Sequence, residues 1–209
     1  MALEVVRHTI IVPGLGDNTT AVSRPHNQAA ERWQAEGGFS TEVFYPNWHT
    51  GKLSDKSDAL VGRMEAVLAE KNELLLVGTS GGSALALLGR IRFPNARIRM
   101  VAIGGRLNTL SPAGYPSLAQ VRQLSPALAD AVETLAQEGS SSLTSEMRSD
   151  VMTLRIEGDE RIHPDVSVLD GADNRTFTHS AEGNQHQSGI GAVLRHPTPN
   201  PVVVFLNSG

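Results

Sequence analysis

The chain has no cysteine, which excludes disulfides and any chemistry that needs a thiolate as nucleophile or ligand. It also lacks an excess of either charge. Lysine and arginine total 18 against 22 aspartates and glutamates, a net charge of −4, and no basic patch stands out that would hold a nucleic acid. No apolar run approaches the ~20 residues of a membrane span. Glu4, Arg7 and His8 break the N-terminus before a secretory leader could form. The histidines show no His-x-x-x-His or comparable spacing, so no metal site is expected. What remains is 209 residues, 40% apolar and 19% charged. That suits one generous soluble domain over residues 1–209, expected in the cytoplasm and without a cofactor. Oligomeric state is left open.

Apolar runs alternate with helix-period segments. Candidate strands are Thr9–Val12, Thr41–Tyr45, Glu73–Val77, Arg97–Ile103, Val151–Ile156 and Arg175–Thr178. Leu60, Met64, Val67 and Leu68 share one helical face, as do Leu124, Leu128, Val132 and Leu135, the latter behind a Ser125-Pro126 start. Asn27–Glu36 reads as a shorter helix, and Ala84–Leu88, apolar all round, as a buried one. Such alternation predicts a parallel sheet covered on both faces, with reactive groups at the carboxyl ends of its strands. Gly139-Ser140-Ser141-Ser142 is the clearest break. The long connection over about 108–150 has room for a small lid.

Between the third strand and the buried helix lies Gly78-Thr79-Ser80-Gly81-Gly82. A Gly-x-Ser-x-Gly in that position is a nucleophile elbow, a turn tight enough to hold its serine in a strained conformation and to admit only glycine-sized neighbours. The helix behind it points N–H groups at any anion that forms there. Ser80 is therefore the candidate nucleophile.

A serine hydroxyl needs a base, and the base an orienting group. With this elbow the acid and then the histidine follow the serine along the chain. Asp159, in the loop after Val151–Ile156, is the candidate acid, with its neighbour Glu160 as rival. His186 is the candidate base, in a polar loop just before the helix-like run Ile190–Leu194, and His179 is its rival. His8 and His26 precede the elbow, His163 follows Asp159 too closely, and His196 lies in a proline-broken segment. The oxyanion donors are expected to be the N–H of Gly81 and, from Val12-Pro13-Gly14-Leu15-Gly16, that of Leu15 or else Gly16. Trp48 could wall a substrate pocket together with Tyr45, Asn47 and His49; Arg106 and Asn108 could also face the site.

With these residues placed, the chain resembles the α/β-hydrolase superfamily, in a compact form close to small bacterial esterases and lipases. Val12–Gly16 looks like the oxyanion loop, with Pro13 where the family often has histidine. Val77–Ala84 is a close match to the elbow, Asp159–Pro164 to the acid loop, and His186–Ile190 to the histidine segment opening the last helix, whose second half would be Asn200–Leu206. The resemblance implies a three-layer α/β fold. Its mainly parallel sheet of about six strands has the family order 4-3-5-6-7-8, lacks the first two family strands and carries no large cap. It implies hydrolysis of a small or medium carboxylic ester through an acyl-enzyme, with thioesterase or lipase activity as variants.

Two readings of other classes compete. A non-catalytic binding protein of the same fold would have its histidines turned away from Ser80. A dinucleotide-binding domain would read Gly14-x-Gly16-x-x-Thr19 as a phosphate turn, but the next strand ends in Val43-Phe44-Tyr45-Pro46, with the only nearby acid, Glu42, inside it.

Overall fold

The structure, a computed structural model, describes residues 7–70, 73–180 and 184–208. Glu4 and the segment 181–183 beside the histidine loop lie outside the described residues. Strands β1 (Arg7–Val12), β2 (Ser40–Val43), β3 (Glu73–Thr79), β4 (Ile98–Ile103), β5 (Val151–Ile156) and β6 (Asp173–Phe177) form one sheet. Its order is β2-β1-β3-β4-β5-β6, with every neighbouring pair parallel. With β1 counted as the family's third strand, this is 4-3-5-6-7-8.

Eight helices are described: α1 (Thr20–Gly37), α2 (Leu53–Ala69), α3 (Gly82–Ile91), α4 (Leu118–Leu124), α5 (Pro126–Ser142), α6 (Ser145–Ser149), α7 (Gln185–Leu194) and α8 (Pro201–Asn207). They cover both faces, because alternate strand residues feed two separate cores. Ile10, Leu74, Leu76 and Met100 pack with side chains of α2, α3 and α5. Ile11, Leu75, Val77 and Val101 pack with those of α1, α7 and α8. The register places Ile11 opposite both Val43 and Val77, and Val77 opposite Val101, so one apolar row crosses four strands.

Local chemistry moved several expected boundaries. Helix α1 begins at Thr20 rather than Asn27, running through Pro25. The proline sits early in the helix, where its missing N–H costs one bond to the Ala21 carbonyl. Gly139–Ser142 continues α5 instead of breaking it; Gly139 and the following Leu143 are buried, so packing overrides weak helix propensity. Leu124 ends the separate helix α4 and is exposed, because Ser125 takes extended dihedrals and caps α5 by accepting from the Leu128 N–H at 3.2 Å. Asn200–Leu206 is not the second half of the histidine-bearing helix: Asn200 caps a new one, accepting from the Val202 N–H at 2.9 Å.

Candidate active site

Thr79 is the last residue of β3 and Gly82 the first of α3, so the chain must reverse over two residues. Ser80 takes a φ of 49°, a left-handed conformation that costs an L-residue roughly 1–2 kcal/mol. Its N–H donates to the Ile103 carbonyl at 2.8 Å and its carbonyl accepts from the Ser83 N–H at 3.1 Å. The glycines on either side are required by crowding: a Cβ on Gly78 would collide with the Ser83 backbone, and one on Gly82 with the Val12 carbonyl.

At the start of α7, Asn184 accepts from the Gln187 N–H at 3.0 Å and seats His186 in the first helical turn rather than in a loop before it. The imidazole Nε2 stands 2.9 Å from Ser80 Oγ, and Nδ1 stands 2.7 Å from Asp159 Oδ2. Asp159 is 4% exposed. Its other oxygen, Oδ1, accepts from the N–H groups of Arg161 and Ile162 at 2.8 and 2.9 Å. A carboxylate has no proton to give, so the imidazole carries its own at Nδ1 and turns the Nε2 lone pair toward the serine. Glu160 accepts from the main-chain N–H of His186 at 3.2 Å and does not bond the ring. His179 lies past β6, stacked on Phe177 and beside Gly189, and does not line the cavity.

The loop after β1 rests on the elbow. A Cβ on Gly14 would stand 2.6 Å from Ser80 Cβ and 2.9 Å from Gly81 N. Leu15 and Gly81 line one cavity with Ser80, and neither N–H has an acceptor among the described residues. Gly16 forms the turn behind, with a φ of 86° and its carbonyl accepting from Thr19 N–H, and does not line the cavity.

Trp48, read from the sequence as a pocket wall, is instead a buried brace for this loop. Its indole is 1% exposed and donates to the Pro13 carbonyl at 3.0 Å, while its own carbonyl accepts from Ser125 Oγ at 2.7 Å. Nearby, Asp17 accepts from Asn47 N–H at 2.6 Å and buried Lys56 donates to the carbonyls of Pro46, Asn47 and Thr50. Tyr45 donates to Asn27 Oδ1 at 2.7 Å. Arg106 does line the cavity, with its guanidinium donating to the carbonyls of Asn108, Leu110 and Pro116; Asn108 donates to the Asp165 carbonyl.

His26, set aside on chain order, is also in the cavity wall. It is 2% exposed, with Nδ1 at 2.6 Å from the Val22 carbonyl and Nε2 at 2.8 Å from Thr79 Oγ1. The carbonyl can only accept, so Nδ1 bears the proton and Nε2 accepts from the threonine next to Ser80. Position in α1 gave no hint of this contact, which depends on how α1 packs across the end of β3.

Burial pushes the His26 imidazole down to about 4. A folded value below the unfolded one means stability is full above about pH 6.5 and is lost as pH falls through 4. The expected loss from this residue is about 3 kcal/mol by pH 4. Urea denaturation of the parent and of His26→Gln at pH 7 and pH 4.5 measures it: the parent should lose more stability than the variant over that interval. Equal losses would remove His26 from the account.

The cavity has a volume of about 190 Å³. One wall is apolar, with Val121 and Leu124 from α4 and Leu128 and Val132 from α5; the opposite wall is Ala21, Val22 and Pro25 of α1 with Ile190 and Gly191 of α7. Among the described residues no group of three or more His, Asp or Glu could hold a metal ion, and no helix is long and apolar enough to cross a membrane.

No protein-family model matches the chain, and neither does the sequence of any curated protein. Its likenesses are to solved structures. A monoacylglycerol lipase from Paleococcus ferrophilus superposes with a TM-score of 0.58 at 13% identity, over 96% of each chain. The meta-cleavage product hydrolase CumD from Pseudomonas fluorescens IP01 gives 0.57 at 18% identity, over 97% of this chain and 91% of that one. The RedJ thioesterase of the prodiginine pathway in Streptomyces coelicolor gives 0.53 at 15%, over 97% and 90%. Together with the strand order and the elbow, these define the class: the chain has the α/β-hydrolase fold.

Proposed function

We propose that this protein is a serine hydrolase that cleaves carboxylic esters through an acyl-enzyme. The observation that carries the reading is the hydrogen-bonded line from Asp159 through His186 to Ser80, with Ser80 at a positive φ. His186 Nε2 takes the Ser80 proton as Oγ attacks the ester carbonyl, and Asp159 stabilises the imidazolium that results. The N–H groups of Leu15 and Gly81 hold the oxyanion. His186 then gives its proton to the leaving oxygen, water enters, and a second turn of the same base releases the acid. The apolar wall from α4 and α5 suits a small or medium acyl chain, with the exposed helix α4 as a small lid over it. Lipids and thioesters fit the same three residues, and hydrolases of several substrate types share the fold.

Labelling with a fluorophosphonate at neutral pH tests the reading, with Ser80 as the expected site of modification. A protein that folds but takes no label supports the non-catalytic alternative. Gly14→Ala is a second test. The added methyl meets the Gly81 N–H and the Thr79 carbonyl at 2.9 Å as well as Ser80 Cβ, so the loop must lift off the elbow. A displaced donor costs ~10²-fold in kcat. Unchanged ester turnover in Gly14→Ala would remove this loop from the oxyanion hole.

A further inference from the structure

Several arginines of this chain are matched by a carboxylate. Arg7 meets Glu73, Arg63 meets Glu42, Arg122 meets Asp130 and Glu133, and Arg175 meets Asp173. Arg24 and Arg195 are among those that are not. Neither guanidinium has a hydrogen-bond or ion-pair partner among the described residues, yet the two come from different elements and line one open cleft with Thr20 and Gln28. Two like charges facing one cleft repel each other, and an anion between them relieves the repulsion.

The cleft adjoins the catalytic cavity. Ala21 and Pro25 line both, one helical turn apart on α1. On the facing helix, Gly191 lines the cavity, and a Cβ there would stand 3.1 Å from Arg195 Nη2, so the guanidinium folds back over the cavity's edge. On the α1 and α7 side, the cavity of Ser80 and His186 thus has the cleft of Arg24 and Arg195 as its neighbour. Which part of the substrate faces the cleft follows from the chemistry. His186 must hand its proton to the leaving group, so the leaving group departs on the side of α7, while the apolar wall of α4 and α5 faces the acyl chain.

We propose that Arg24 and Arg195 form a seat for a phosphate carried on the leaving group of the substrate. The inference rests on the hydrolase reading for its direction. The seat itself rests on the two arginines. Arginine pairs with phosphate through parallel N–H donors, and Thr20 and Gln28 supply further polar groups at the rim.

Three measurements on the full chain test it. The first compares kcat/KM for octanoyl-glycerol and octanoyl-glycerol 3-phosphate, and for octanoyl-pantetheine and octanoyl-4′-phosphopantetheine. In at least one pair the phosphate should raise kcat/KM by about tenfold. The responding pair tells an oxygen-ester leaving group from a thiol one. The second repeats the comparison in Arg24→Gln/Arg195→Gln, where the phosphate advantage should fall below twofold, and in the parent at 1 M salt, where screening should shrink it. The third titrates the parent with glycerol 3-phosphate and with glycerol by calorimetry, and reads the seat without turnover. Neutral-ester turnover with neither phosphate preference nor glycerol 3-phosphate binding overturns the proposal, as does a preference that survives the double substitution. Phosphate binding that needs both arginines, in a protein that turns over no ester, keeps the seat and defeats the hydrolase reading instead.

Discussion

Ser80→Ala is expected to lower kcat for p-nitrophenyl ester hydrolysis by at least ~10⁴-fold, because removal of the attacking oxygen leaves only binding and oxyanion stabilisation. Turnover within tenfold of the parent would remove Ser80 as nucleophile. The fold should survive, since the side chain's recorded bond is the one to His186 and alanine is held at the same positive φ. Ser80→Gly makes the cost of the elbow measurable. It should be as inactive as Ser80→Ala, yet more stable by about 1 kcal/mol, because glycine occupies the left-handed region without strain. Urea denaturation of the two variants side by side reads that difference; a glycine variant no more stable than the alanine one would mean that the 49° φ stores no strain.

Asp159→Asn is expected to cost about 10³–10⁴-fold in kcat with little change in stability, for a reason visible in the hydrogen bonds. Oδ1 accepts from two main-chain N–H groups, Arg161 and Ile162. In asparagine the carbonyl oxygen must stay there, so the NH₂ replaces Oδ2 against His186 Nδ1. Two donors cannot face each other, and the imidazole moves its proton to Nε2, where it donates to Ser80 instead of accepting from it. Glu160→Gln serves as the comparison. It meets the main-chain N–H of His186 and the Arg161 guanidinium but not the imidazole, and turnover should stay within a few-fold of the parent. If Glu160→Gln were the crippled variant and Asp159→Asn the mild one, the acid would have to be reassigned.

Much of this molecule was legible in the sequence because it is written in short-range patterns. Val151–Ile156 is a continuous apolar-rich run bounded by polar residues, and β5 has those bounds. Gly78 to Gly82 encodes its own turn, since each terminal glycine answers a specific backbone clash. The unread parts depend on what arrives from far along the chain. Asp159 and Glu160 are adjacent acids in one loop. Which of them meets the imidazole is decided by two backbone N–H groups that fold back onto Oδ1 and turn the second carboxylate outward. Trp48 reads as a wall because it follows a strand end, but its indole N–H finds Pro13 and its carbonyl finds Ser125, a partner 77 residues on. Chain order alone excludes His26 as the base, and its contact with Thr79 spans 53 residues. Pro25 and the Gly139–Ser142 tract carry strong local signals that packing overrode.

The two tryptophans have a use beyond structure. Trp48 is buried in the layer that α2, α3 and α5 share with the sheet, Trp33 in the layer of α1, α7 and α8, and each is 1% exposed. Every indole in the chain therefore emits from dry surroundings, one on each side of the sheet. Trp33→Phe leaves a fluorophore that reports on the loop above the elbow; Trp48→Phe leaves one that reports on the opposite layer. Denaturation followed by the emission of each would show whether the two sides of this sheet come apart in one event or in two.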